Sequence, residues 1–279
     1  MDLAAVTSQN AGMVTIVKDG AVTASVPVPG KPAAIAVDPV RGIIHVVAVE
    51  TKRLHRIAPD GREIARIPLP GAPFGVAVDP ATGHSLVSDW EGSVILEVGD
   101  TVLREIPTGA APSGIAVAEG LIVTADRDAD QVTIIGDRTR HVPVGHHPFG
   151  VTIHDGHAFA ANVLSDMVSV VDLADATLVA TIPVGERPYA IAFAAGRGFV
   201  TNQYEESVTV FDAKTWQVLG EIEVGEYPEG IAPYGDALLV ANWFSDTLSV
   251  IDPVALTVTD TLDMPAGPRA FGSFTATLP

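Results

Sequence analysis

The sequence contains no cysteine. Disulfide bonds, thiolate metal sites and cysteine nucleophiles are therefore excluded, and cysteine usage does not indicate the redox compartment. Long apolar runs are also missing. Although 47% of the residues are hydrophobic, no run approaches the roughly 18–20 residues that a membrane helix needs. We therefore expect a large core but no membrane insertion.

Basic residues are scarce, with 16 Lys and Arg against 34 Asp and Glu and a net charge of −18. A negative field of this kind repels phosphate backbones, so nucleic acid is not an expected partner. Cationic ligands or a basic partner would be attracted. Acidity that serves solubility alone is the simpler explanation.

A signal peptide is not recognisable, because no basic segment precedes the first apolar run at residues 3–7. As written, the chain is expected to be cytoplasmic. It would be periplasmic or secreted if a leader has been removed. The sequence leaves the compartment undecided.

Helical periodicity is absent, and the 26 Gly and 21 Pro suit a chain with many tight turns. A Gly followed shortly by Pro recurs along the sequence at intervals of about 40 residues. The Pro residues are Pro32, Pro73, Pro112, Pro148, Pro188, Pro228 and Pro268. A period of this length indicates a repeat architecture with seven copies.

Each copy predicts four short strands. After the Pro, small and large residues alternate, as in residues 75–78, which suits an innermost strand close to a central axis. The second strand ends in Asn or Asp, and an acidic turn and two further strands follow. We assign Asn162, Asn202 and Asn242 to hydrogen bonding in turns, together with the acidic residue four positions after each.

The chain begins and ends within a copy. Three strands at residues 5–28 have no inner strand before them, and residues 267–274 read as an inner strand with nothing after it. Joining them completes a seventh blade. We predict an all-β, seven-bladed β-propeller with four-stranded antiparallel blades, closed by three N-terminal strands and one C-terminal strand. Residues 1–279 form a single domain, expected to be monomeric.

The copies between Gly145 and Asp252, with VG shortly before the Pro and strands ending in AAN, VTN or VAN, resemble the YVTN-type β-propeller repeat family. The second blade departs from this motif, because residues 45–48 end in Ala. The resemblance implies the propeller fold. It leaves the activity open, since relatives include binding proteins, surface proteins and subunits or neighbours of quinoprotein dehydrogenases.

Two clusters invite a metal interpretation. Residues 126–130 begin like a calcium loop, but Gln131 stands where Gly is expected and Asp137 where Glu is expected. Five of the eight histidines lie between His141 and His157, at opposite ends of one predicted strand. His146 and His147 are weak metal candidates. No cofactor is predicted, and a divalent metal is left open.

The predicted site lies where the loops from strand four to strand one and from strand two to strand three emerge together around the channel. Residues that break the repeat there are the functional candidates. The ligand-binding candidates are Phe74, Trp90, Phe149, Glu186, Arg187, Tyr189, Tyr204, Tyr227, Trp243 and Arg269. The alternative is that aromatic residues of these loops, such as Trp90 and Trp243, have no binding role and only cover the edges of the blades.

The leading hypothesis is a non-catalytic binding or scaffold protein that uses this loop face for a small polar or cationic ligand or a protein partner. The alternative is a lyase- or hydrolase-type enzyme in the channel mouth. Its candidate catalytic groups are His146, His147, Glu226 and Glu229. A third hypothesis, a redox partner of a quinoprotein dehydrogenase, rests on the resemblance alone.

Overall fold

The ring architecture is confirmed in a computed structural model that describes residues 1–118 and 120–278. Its strands form seven four-stranded antiparallel sheets, one per predicted blade. Within the described residues the helical content is a single 3₁₀ turn, Arg127–Ala129. No helix there has the length and apolar character to cross a membrane.

The strand bounds follow the repeat. Blade 1 contains β1 (Asp2–Ser8), β2 (Met13–Lys18) and β3 (Ala21–Pro27); blade 2 contains β4 (Pro32–Val37), β5 (Ile44–Ala48), β6 (Arg53–Ile57) and β7 (Glu63–Pro68). Blade 3 contains β8 (Pro73–Val78), β9 (Ser85–Asp89), β10 (Val94–Val98) and β11 (Val102–Pro107). Blade 4 contains β12 (Pro112–Ala118), β13 (Leu121–Asp126), β14 (Gln131–Ile135) and β15 (Thr139–Pro143).

The remaining blades have the same order. Blade 5 contains β16 (Pro148–His154), β17 (His157–Asn162), β18 (Met167–Asp172) and β19 (Thr177–Pro183). Blade 6 contains β20 (Pro188–Ala194), β21 (Arg197–Asn202), β22 (Ser207–Asp212) and β23 (Val218–Glu223). Blade 7 contains β24 (Pro228–Tyr234), β25 (Ala237–Asn242), β26 (Thr247–Asp252) and β27 (Thr257–Asp263), and β28 (Thr275–Thr277) returns to blade 1.

Glycine lets the inner strands approach one another at the axis. A Cβ atom added to Gly114 would lie 2.6 Å from the carbonyl oxygen of Phe149 in the next blade. The equivalent glycines Gly75, Gly150 and Gly230 face a backbone carbonyl of their neighbour in the same way. The small residues that alternate with large ones along each inner strand are therefore required by the contact between neighbouring blades, not by packing within one blade.

The recurring Asn residues occupy the position predicted for them, at the end of strand two. The side-chain amides of Asn202 and Asn242 donate to hydroxyl groups of strand three, at 2.8 Å to Thr209 and 2.9 Å to Ser249. A Cβ atom at Gly225, in the loop before strand one, would lie 2.8 Å from Asn242. The Gly and Asn of one copy are thus packed against each other.

The acidic turn residues join neighbouring blades. The backbone N–H of Arg187 donates to the Asp166 carboxylate at 3.0 Å, and that of His147 donates to Asp130 at 2.8 Å. Gly267 donates to Asp246 in the same manner, at 2.7 Å. These carboxylates act between blades, which extends the turn role predicted for Asp166 and Asp246.

Closure of the ring combines three N-terminal strands with β28, as predicted. Residues 267–274, which we call the closing segment, are predicted to form that inner strand. They lie beside β1, with Ser8 bridged to Pro268, and the regularly paired strand follows at Thr275–Thr277, where Ala4 faces Thr275. The closing segment stays hydrogen-bonded to β1 at both ends, from Arg269 N–H to the Thr7 carbonyl at 2.8 Å and from Ala5 N–H to the Phe274 carbonyl at 2.9 Å, and between these points it bulges toward blade 2. Ile35 donates to the carbonyl of Phe271 in a parallel bridge to blade 2, and Gly230 donates to that of Arg269. Pro268, which has no N–H, and Gly272, with a φ of 118°, suit this irregular path.

We predict that Gly150→Ala lowers the free energy of unfolding by roughly 1–3 kcal/mol, because its Cβ would press on the Tyr189 carbonyl. Gly99→Ala is the control, since its nearest neighbour is the flexible side chain of Leu103 at 3.2 Å, and it should change stability by less than about 0.5 kcal/mol. Denaturant unfolding measures both variants. Equal stability of the two would contradict the crowding argument.

Candidate functional site

The two sets of loops predicted to share a face are joined by backbone hydrogen bonds. Trp243 donates to the carbonyl of Tyr227 at 3.0 Å, and Phe244 to that of Glu226 at 3.2 Å. In blade 6, Tyr204 donates to the carbonyl of Glu186 at 3.3 Å. Each loop between strands two and three is therefore held against the loop that precedes strand one. We call this side of the ring the loop face.

An aromatic plug fills the channel beneath the loop face. It consists of Phe74, Phe149, Tyr189 and Phe271, all of which are buried. The Phe149 and Tyr189 rings stack with centroids 4.6 Å apart, and Phe271 lies 5.2 Å from Phe149. Trp90 stacks on Phe74 at 4.3 Å. Three predicted ligand contacts, Phe74, Phe149 and Tyr189, are thus core residues that close the channel.

Arg269 crosses the plug and links three blades. Its Nη2 donates to the hydroxyl of Tyr189 at 2.6 Å, and its Nη1 to Gln9 Oε1 at 3.4 Å. Its Nε lies 2.9 Å from Oε2 of Glu229, without the alignment of a hydrogen bond. The other Glu229 oxygen accepts a hydrogen bond from the Gln203 amide at 3.0 Å.

Burial controls the charge states of this group. The Glu229 side chain is 3% exposed and that of Arg269 17%. Burial raises the pKa of Glu229 to about 7, against the opposing effects of Arg269 and Gln203. Burial alone would lower the pKa of Arg269, but Glu229 and Tyr189 outweigh it and keep the guanidinium charged. Glu229 is therefore committed to Arg269, not free for a ligand.

Above the plug, blades 6 and 7 carry an acidic–aromatic patch. We define it as Glu186, Tyr204, Glu205, Glu226, Tyr227 and Phe244. Tyr204 is 58% exposed and Phe244 63%. The half-buried Tyr227 ring joins them, with centroids 5.6 Å from Tyr204 and 4.9 Å from Phe244. The Arg187 guanidinium lies 5.5 Å over the Tyr204 ring, and the three glutamates are exposed.

The remaining predicted aromatics lie between plug and patch. Trp243 is half-buried, and the Arg269 guanidinium lies 5.2 Å from its ring centroid. Trp90 lies below the Arg127 guanidinium at 4.2 Å. Both indoles therefore pack against an arginine at the floor of the loop face.

The catalytic candidates are not brought into contact with one another. His146 shares a hydrogen bond with Asp130 at 2.7 Å, and Glu229 is engaged with Gln203 and Arg269. Across the described residues, no hydrogen bond joins His146 or His147 to Glu226 or Glu229. Burial and Arg127 lower the pKa of His147. The proposed general base and general acid are therefore not in contact, and their catalytic roles stay predictions.

Metal-binding side chains do not gather in groups of three or more among the described residues. The carboxylate of Asp126 accepts hydrogen bonds from the backbone of Gly109 and from Gln131 and Thr133. Asp128 pairs with Arg127 at 2.8 Å. Protein donors therefore occupy the carboxylates of the loop that resembles the start of a calcium site.

A cavity of 480 Å³ lies in the channel on the other side of the plug, which we call the lower cavity. It is lined by the inner strands of blades 4 to 7, by Val76 of blade 3, and by residues 271–273 and 275–277. No ligand-binding residue predicted from the sequence borders it. Phe271 was also missed, because it aligns with Ile and Val in the other copies. Its ring size was the available signal.

No protein-family model and no curated protein matches the chain. Similarity appears in solved structures, at identities that show the fold alone. A protein from Desulfotomaculum acetoxidans whose function is unknown aligns with a TM-score of 0.82 and 14% identity, over 97% of this chain and 99% of that one.

Two functionally described proteins share the architecture. A catalytically inactive virginiamycin B lyase from Staphylococcus aureus, solved with quinupristin, aligns with a TM-score of 0.74 and 16% identity, over 86% of this chain and 92% of that one. The dihydro-heme d1 dehydrogenase NirN aligns with a TM-score of 0.72 and 15% identity, over 94% of this chain. This chain spans 63% of the length of NirN. Enzymes are thus among the proteins with this fold.

We predict that the wild type loses stability relative to the Glu229→Gln variant as the pH rises from 4.5 to about 7, because the buried Glu229 carboxyl ionises over this interval. A carboxyl whose pKa is raised by folding binds more protons in the folded state than in the unfolded state. Its contribution to the free energy of unfolding is therefore greatest at low pH and is lost across this interval. The difference in unfolding free energy should fall by about 3 kcal/mol. Denaturant titrations across the interval measure it.

Glu226→Gln, at an exposed position, is the matched control. The difference in unfolding free energy between this variant and the wild type should show no comparable fall with pH. A Glu229→Gln difference that stays constant with pH would mean that burial does not shift this carboxyl.

Proposed function

We propose that the chain is a non-catalytic binding protein whose acidic–aromatic patch binds an organic cation, an ammonium or guanidinium group on a mainly apolar body. The observation that carries the proposal is the row of Tyr204, Tyr227 and Phe244. These rings contact one another while two of them remain more than half exposed. Large aromatic side chains in this state are typical of a binding surface.

Aromatic faces attract cations through the ring quadrupole. Within the chain itself, Arg187 places its guanidinium 5.5 Å from the centre of Tyr204. This intramolecular pair supports the proposal, because it has the geometry that a ligand cation would adopt over the neighbouring rings.

Electrostatics favours the same ligand class. None of the ion pairs among the described residues involves Glu186, Glu205 or Glu226. Their exposed charges add to the field of a chain with a net charge of −18. A cation approaching the patch is attracted over roughly a Debye length, about 10 Å at 0.1 M salt.

Rigidity of the loops lowers the cost of binding. The backbones of Tyr204 and Phe244 are hydrogen-bonded to the preceding loops of their own blades, and the plug packs below them. A preformed surface loses little conformational entropy on binding. Fold similarity to enzymes does not transfer an activity, so the enzyme alternative stays a prediction.

We predict saturable binding of benzyltrimethylammonium, measured by calorimetry at low salt, and weak binding of its uncharged tert-butyl isostere. Tyr204→Ser combined with Phe244→Ser should weaken binding by about tenfold, since each exposed cation–π contact is worth about 0.5–1 kcal/mol. Val254→Ser is the matched control, because Val254 is 69% exposed in a turn on the opposite face.

A lysine-rich peptide tested in parallel separates a protein partner from a small molecule as the source of the cation. Absence of saturable binding for both cationic probes, or equal affinity for the uncharged isostere, would overturn the proposal.

A further inference from the structure

The lower cavity is closed at one end. Phe271, a member of the aromatic plug, borders it on the side of the loop face. From there it extends along the inner strands toward Ala118, His154 and Thr277, where these strands end on the opposite face. The cavity is therefore a blind pocket, separated from the acidic–aromatic patch by packed rings.

The closing segment covers one wall of this pocket. Ile35 and Val37 of β4 donate to the carbonyls of Phe271 and Ser273, each at 2.8 Å. The inner edge of blade 2 is thereby covered, and its residues do not border the cavity.

The opposite wall remains available for hydrogen bonding. Strands β12, β16 and β20 are each the terminal strand of their sheet, and consecutive residues of all three line the cavity. An edge strand presents unpaired N–H and C=O groups. The carbonyl of Ile191 on this wall already accepts a hydrogen bond from the Thr152 hydroxyl at 2.7 Å. The other channel-facing N–H and C=O groups of these strand edges are the donors and acceptors that the pocket offers.

The side chains around the cavity are apolar or neutral. Ile115, Ile191, Phe193 and Ile231 are the large apolar side chains of blades 4, 6 and 7 in this lining. Although the chain has 34 acidic residues, no Asp, Glu, Lys or Arg occurs among the described lining residues. The one titratable side chain is His154, whose ring stacks on Phe193 at 4.0 Å. A charged ligand would lose its hydration here without gaining a counter-charge.

We propose that the lower cavity is a second binding site, for one neutral, mainly apolar small molecule that carries a hydrogen-bonding group. Its volume of 480 Å³ lies within the range of about 300–1,000 Å³ that small-molecule pockets have. The apolar body packs against the Ile and Phe side chains. The polar group pairs with the free strand edges of blades 4 to 6.

The site is independent of the proposed function, because it lies on the other side of the plug and selects against charge. The two proposals can therefore fail separately. A chain that binds cations on the loop face and nothing in the cavity would retain the first and lose the second.

The test uses N-phenyl-1-naphthylamine, a neutral apolar dye with one N–H group whose fluorescence rises on leaving water. Titration of the wild type should give saturable binding of one dye per chain. Ser273→Trp places an indole at an exposed position that lines the cavity and should weaken binding by at least about tenfold, because the bulk occupies ligand space.

Ser25→Trp is the matched control, the same substitution at an exposed position of the outer strand β3, and should bind the dye as the wild type does. The double variant Tyr204→Ser, Phe244→Ser should also bind normally. Should Ser273→Trp fail to fold, as judged by circular dichroism and thermal midpoint, Ala118→Phe on β12 fills the same cavity.

Three results would overturn the proposal. The first is no saturable dye binding by the wild type, and the second is unchanged affinity in a folded cavity variant. The third is loss of binding in the loop-face double variant, which would place the dye on the acidic–aromatic patch.

Discussion

The architecture depends on how closely neighbouring inner strands approach. At Gly75, Gly114, Gly150 and Gly230, the backbone of one blade occupies the space where the other would have a Cβ atom. This contact sets the radius of the channel, and the radius determines what the channel can hold. Four aromatic rings and one arginine fill its upper part, and a single irregular segment fits beside the strands lower down.

The plug divides one channel into two chemically different spaces. On the loop face, turns carry the charged and aromatic residues, because turns project from the ring and need not pack against another blade. Below the plug, strands face the channel with their edges, so backbone groups and aliphatic side chains alternate there. Arg269 and Glu229 lie at the boundary, where burial removes most of the water around both side chains. Their mutual attraction compensates for part of that desolvation.

The sequence alone was sufficient for the ring, because the Gly and Pro of each loop recur about every 40 residues and strand two ends in Asn in three successive copies. The Gly and the Asn of a copy are packed against each other. The sequence was less informative about the site. The sequence identified Phe74, Phe149, Tyr189 and Arg269 as ligand-binding candidates and Glu229 as a catalytic candidate. Whether such residues line an open channel mouth or fill it depends on the channel radius, which is a property of all seven blades. The lower cavity was beyond prediction, since it exists through the irregular path of the closing segment.

Closure by β28 also bears on how the chain is made. Strand β1 is synthesised before the other strands of the ring, but its inner neighbour is β28, with Asp2 opposite Thr277. Throughout synthesis of the six blades between them, β1 has an unpaired edge, and such edges are templates for pairing with other chains. Blades 2 to 7 can each form from local hairpins as they emerge from the ribosome. Blade 1 alone must wait for its inner strand, so within this ring β1 is the strand most in need of protection from aggregation.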